Sequence, residues 1–173
     1  MKRLVVVLTA VIMTCLLPAM ASAAGMTMVR GGGTGSFGAD LDGDGEIDGS
    51  QFGMSVAILG DGSAGGSFLC LMAGRSKILG LHLMSVQGQV TDGVLNADGS
   101  ATFSGSGSVN LGGGTIVPGL GFRVTTRPGG PGVGQMQLTV VGAFDGVPGD
   151  TTTGNGNYDL PWETVRSGRI VVG

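Results

Sequence analysis

From Gln51 to Leu59 the chain reads QFGMSVAIL. Phe52, Met54, Val56 and Ile58 fall at every second position, with Gln51, Gly53, Ser55 and Ala57 between them. A period of two is that of a half-buried β-strand. GDGSAGG (60–66) then predicts a turn, and SFLCLMA (67–73) the returning strand. ILGLHLMSVQGQV (78–90) sets Leu79, Leu81 and Leu83 against His82 and Met84. VLNADGSATFSGSGSVNL (94–111) predicts a hairpin around Ala97-Asp98-Gly99, where Gly suits a left-handed turn position. LGFRVTTR and GQMQLTVVGAF predict two further strands joined by PGGPGVG, and GRIVVG closes the chain as a last short strand.

Beyond the first residues, no stretch of helical length carries apolar residues at i, i+3 and i+4 without Gly or Pro, and Ala73 to Leu79 is too short for a helix. Closely spaced strands with turn signals between them predict an all-β fold, an antiparallel β-sandwich, with a β-barrel as the alternative. No internal repeat of fixed period indicates a propeller or solenoid.

Composition changes this picture little. The 37 glycines would fit a disordered linker, but the alternation selects a β-protein with many tight turns. The leading residues add a compartment. MKRLVVVLTAVIMTCLLPAMASAAG has a basic start (Lys2, Arg3), an apolar run to Leu17 and Ala21-Ser22-Ala23 as an A-x-A cleavage motif. This is the pattern of a secretory signal peptide over residues 1–23. It implies a single domain over 24–173, secreted to a bacterial periplasm or beyond the cell. No second apolar segment approaches the length of a membrane span. The formal charge is −3 and falls further when Lys2 and Arg3 leave, which argues against a nucleic-acid partner. Cys15 leaves with the signal, so Cys70 stands alone in an apolar run and reads as an inert buried thiol.

Charge is concentrated in one place. DLDGDGEIDGSQF begins at Asp40 and sets five carboxylates within nine residues. Asp40, Asp42 and Asp44 occupy positions 1, 3 and 5 of a twelve-residue calcium loop, and Gly45 occupies position 6, where a left-handed bend is needed. Glu46 at position 7 would offer its carbonyl, Ile47 is the apolar residue at 8, and Asp48 stands at 9. Alternate residues of a tight loop can aim oxygens at one centre, and a hard cation requires six to eight of them. The segment resembles the calcium loops of EF-hands, dockerins and thrombospondin type 3 repeats over these twelve residues. It departs from them at position 12, where Gln51 replaces the acid, and in its flanks, which are not helical. The resemblance implies Ca2+ held by Asp40, Asp42, Asp44, Glu46, Asp48 and weakly Gln51, with an affinity of roughly 10⁻⁴–10⁻³ M. The competing reading is a solvated turn rich in Asp and Gly.

A second polar stretch, FDGVPGDTTTGNGNYDLPWETV (144–165), holds the single Tyr and Trp, Tyr158 and Trp162. Its irregular spacing predicts an Ω-like loop, with the aromatic pair covering a core edge. It also offers a contact surface for a sugar. This stretch, with GGGTGSF near the start, resembles a pattern in uncharacterised secreted bacterial glycine-rich β-proteins, a resemblance that brings no activity with it.

No nucleophilic or zinc constellation is legible, and the paired carboxylates that a glycosidase needs stay open in principle, although most acids sit beside a glycine or in the acidic loop, as turn residues do. His82 is the single histidine and lies among apolar residues, no G-x-S-x-G elbow surrounds a serine, and Cys70 with His82 is too few ligands for zinc. The expectation is therefore a secreted non-enzymatic β-domain with a weak calcium loop. It would act as a structural or surface-associated module with a protein or glycan partner. The alternative is a carbohydrate-binding or carbohydrate-active domain using the loop around Trp162.

Overall fold

The computed structural model describes residues 25–173 except 42, 44 and 74–83. The signal segment 1–23, His82, and the candidate ligands Asp42 and Asp44 lie outside the described residues. Among the described residues nine strands follow in chain order: β1 (Thr27–Ser36), β2 (Gly49–Ile58), β3 (Ser63–Ala73), β4 (Met84–Leu95), β5 (Ala101–Gly112), β6 (Thr115–Arg127), β7 (Gln135–Val141), β8 (Tyr158–Asp159) and β9 (Glu163–Val172). The all-β antiparallel class is as the spacing predicts. The strands share one continuous sheet, ordered β6-β5-β4-β3-β2-β1-β9-β7-β8, rather than dividing between two.

β7 pairs along one edge with β6 and along the other with the start of β9 and with β8. The succession of pairings therefore returns to β6, leaving β8 appended to β7. Such a return satisfies the backbone groups that an open sheet would present at its two ends. Where β9 runs on past β7, Gly129 exchanges backbone hydrogen bonds of 2.9 Å with Ile170 and covers that edge.

The inward side of the sheet is apolar, while Leu69, Val94, Leu95, Ile116 and Val171 stand exposed on their strands. The core comprises Val29, then Phe52, Met54, Val56 and Ile58 as the alternation predicts, with Phe68, Cys70 and Met72 from β3 and Phe103, Phe122 and Val124 from β5 and β6. Phe68 stacks on Phe122 with ring centroids 5.5 Å apart and meets Phe103 edge-on at 5.9 Å. These arrangements add to the stabilisation from burial alone. Gly88 of β4 lies beneath this cluster: a Cβ there would stand 2.6 Å from Cε1 of Phe122. Part of the glycine content therefore makes room for rings within strands, besides forming turns.

β1 lies in a glycine-rich segment, TMVRGGGTGS, where the alternation predicts no strand. It is held from both sides, by β2 from Thr27↔Ile58 to Thr34↔Gln51 and by β9 from Val29↔Val172 to Ser36↔Thr164. β3 begins four residues earlier than the turn signal predicts, at Ser63.

Candidate functional site

The sequence Asp-Gly-Ser occurs three times, and its surroundings decide what it does. At Asp61 and Asp98 one carboxylate oxygen accepts hydrogen bonds from both the amide and the hydroxyl of the serine two residues on, at 2.9 and 2.6 Å for Ser63 and 3.0 and 2.6 Å for Ser100. The serine hydroxyl first, then its amide, holds each carboxyl below the usual carboxylate range. These are the predicted turn residues.

The third copy, Asp48-Gly49-Ser50, closes the acidic loop and behaves differently. Asp48 is buried, and its Oδ2 accepts the amide of Leu41 at 2.6 Å. Ser50 turns inward, and Glu163 takes up its donors: Oε1 accepts the Ser50 amide at 2.6 Å and Oε2 its hydroxyl at 2.7 Å. Glu163 is 2 % exposed and packs against Gly35 of β1. One buried carboxylate thus ties the ends of β1 and β9 to the start of β2, beneath the loop. Burial pushes its pKa up, against the lowering effect of the Ser50 hydroxyl and amide. Nothing in the local sequence ETV signals a buried acid.

The loop itself is closed at its base. The Phe37 amide donates to the Asp48 carbonyl at 3.0 Å, and the Asp48 amide to the Ala39 carbonyl at 3.1 Å. Within this ring Asp40 accepts the amide of Gly43 on Oδ1 at 2.7 Å and that of Gly45 on Oδ2 at 2.8 Å. Gly45 has φ of +91°, the left-handed bend expected at position 6. Asp40, Glu46 and Ile47 are exposed. Gln51 stands in β2 on its outer face, paired with Thr34 and Leu71. Among the described residues no three His, Cys, Asp or Glu side chains gather as a metal-holding group, and Asp42 and Asp44 are outside that set.

The second polar stretch is an Ω-like loop whose carboxylates serve its own backbone. Asp145 accepts the amides of Gly154 at 2.7 Å and Gly156 at 2.9 Å, and Asp150 those of Gly146, Thr152 and Asp159 at 2.8, 3.0 and 3.1 Å. The Gly146 amide is the main cause that lowers the Asp150 pKa. Tyr158 is 1 % exposed and donates its hydroxyl to the Pro148 carbonyl at 3.0 Å, so its ring belongs to the core rather than to a contact surface. Burial chiefly, then the charges of Asp150 and Asp48, raise its pKa. Trp162 is half-buried, with the Arg127 guanidinium 4.2 Å from its ring centre. The acidic loop and this loop meet at one end of the sheet, where the Leu41 Cβ would lie 3.9 Å from a Cβ at Gly149.

Cys70 is free and buried, and burial first, then the charge of Glu163, pushes its thiol up to about 12. A thiol so placed is a poor nucleophile. No helix among the described residues is long and apolar enough to cross a membrane. Comparison of the chain with protein-family models, with curated proteins and with solved structures gives no match.

Proposed function

We propose that this chain is a secreted, non-enzymatic β-domain with a weak calcium-binding loop at residues 40–51, serving as a structural or surface-associated binding module. The observation that carries the reading is the closed loop. Two backbone bonds at its base join Phe37 and Ala39 to Asp48, and the Asp40 carboxylate accepts the amides of Gly43 and Gly45 across its middle. Asp40, Asp42, Asp44 and Asp48 would supply carboxylate oxygens, Glu46 its carbonyl and Gln51 a weak amide oxygen.

A non-enzymatic role is supported by how the other reactive groups are used. Cys70 is buried, Glu163 ties strands together, and the carboxylates of the Ω-like loop cap backbone amides. The outward residues of β2, β4 and β5 are largely Ser, Thr, Gln and Gly, with Leu69 of β3 exposed between them. Calorimetric titration with calcium is the test. The expected result is one site with a dissociation constant of roughly 10⁻⁴–10⁻³ M, lost in Asp40→Ala. Heat of binding that is absent, or unchanged in Asp40→Ala, would sink the reading.

A further inference from the structure

The outer face of β2, β1 and β9 carries an arrangement that the loop does not explain. In an antiparallel sheet, paired residues point to the same side. Gly31 pairs with Ile170 and faces the core, so Arg30 with Val171 and Gly32 with Arg169 face outward. Thr34 and Ser167 follow on that face, joined through their hydroxyls at 2.8 Å. Arg166 is the extra residue at the bulge between the Thr34 and Gly35 pairings, and it borders an open depression lined also by Thr34 and Gln51. Arg30, Arg166 and Arg169 are all exposed.

We infer that this face binds an extended anionic glycan, one bearing carboxylate or sulfate groups along its length. Three arginines stand along one strand pair of a protein whose formal charge is negative. At about 3.3 Å per strand residue, the positions from Arg166 to Val171, opposite Arg30, span about 16 Å, the reach of several sugar units. Among the residues paired across this face none is acidic: Ser55 and Val171 flank Arg30, and Gly53 and Gly32 lie beside Arg169. Of the acidic loop's described residues, Ile47 lines the depression at the Arg166 end.

The type of occupant follows from what surrounds the charges. A guanidinium is a planar fork that matches carboxylate or sulfate oxygens in pairs. Gly32 and Gly53 leave a low floor over which a flat chain can lie; a Cβ at Gly53 would touch nothing within 4 Å. The Ser55, Thr34, Ser167 and Gln51 side chains supply donors and acceptors for sugar hydroxyls. Met28 and Val171 are the large apolar residues of β1 and β9 on this face, and Leu69 and Leu71 lie across β2 from it. No aromatic side chain stands among them, so the face lacks the aromatic anchors of a protein interface and the aromatic platform of a single-stranded nucleic-acid site. This inference goes beyond the calcium loop and does not depend on it.

The test is binding of the purified chain to immobilised heparin and to polygalacturonate, with EDTA present so that calcium plays no part. The chain should be retained on at least one polymer at low salt and released as salt rises. Arg30→Gln/Arg166→Gln/Arg169→Gln should bind at least about tenfold more weakly with an unchanged melting temperature. Arg123→Gln, which removes one exposed charge from β6, should bind within about twofold of the unaltered chain. If the triple variant melts lower, Arg169→Gln alone decides. Weakening of about threefold or more supports the inference, and unchanged binding overturns it. Failure to bind either polymer, an equal loss in Arg123→Gln, or equally tight binding of single-stranded DNA would also overturn it.

Discussion

Glu163 carries the sharpest consequence of a single side chain. Its pKa is raised in the folded protein, so the folded state holds a proton that the unfolded chain would release. Its contribution to stability is complete below the ordinary glutamate value and is lost as pH rises through the raised one. Glu163→Gln keeps an acceptor for the Ser50 amide and removes the buried charge. Its melting temperature should match the unaltered protein near about pH 4 and exceed it near about pH 8. A lower melting temperature at the higher pH would contradict this account of Glu163. Cys70 gives a second check. Thiol reagents at about pH 8 should leave it unmodified in the folded protein and modify it after denaturation. Rapid labelling of the folded protein would contradict its burial. The burial of Cys70 is as its apolar run predicts, whereas Glu163 looks unremarkable in the sequence, because a buried acid differs from an exposed one only in what the fold places around it.

The strands were legible in proportion to their alternation. β2 carries four apolar residues at a spacing of two, and its inward face is the one that spacing predicts. β1 offers Gly31, Gly32 and Gly33 where an alternating pattern would show side chains, so nothing local marks it; pairing to β2 and β9 makes it a strand. β9 begins at Glu163, five residues before the run GRIVVG, because its first half is specified by β1 and by the Pro128–Gly134 segment beside it rather than by its own pattern. The turns were legible where the residue chemistry is local, as in the Asp61 and Asp98 turns. Asp48-Gly49-Ser50 has the same letters and another role, since Leu41 and Glu163 compete for its hydrogen bonds. Within the strands, Gly88→Ala should cost about 1–3 kcal/mol by urea unfolding, as Phe122 or the β5 backbone shifts to admit the methyl group. A neutral result would mean that the ring cluster has slack.

At the scale of the molecule, the two proposed sites lie apart. The acidic loop and the Ω-like loop meet at one end of the sheet, and an arginine stripe runs along the outer face of β1 and β9. The proposed calcium loop rests on spacing, because its acids and its glycine lie within one short segment. The arginine stripe was not legible in the sequence, because Arg30 is brought beside Arg169 only by pairing of the first strand with the last. The central claim concerns the loop, and thermal unfolding tests it most directly, with EDTA and with millimolar calcium, on the unaltered chain and on Asp42→Ala/Asp44→Ala. Calcium at about ten times its dissociation constant should stabilise the unaltered chain by about 1.4 kcal/mol, a rise of about 3–6 °C in melting temperature that the double variant lacks. Coincident curves in EDTA and in calcium would contradict it and leave DLDGDGEIDGSQF as a loop held by its own hydrogen bonds.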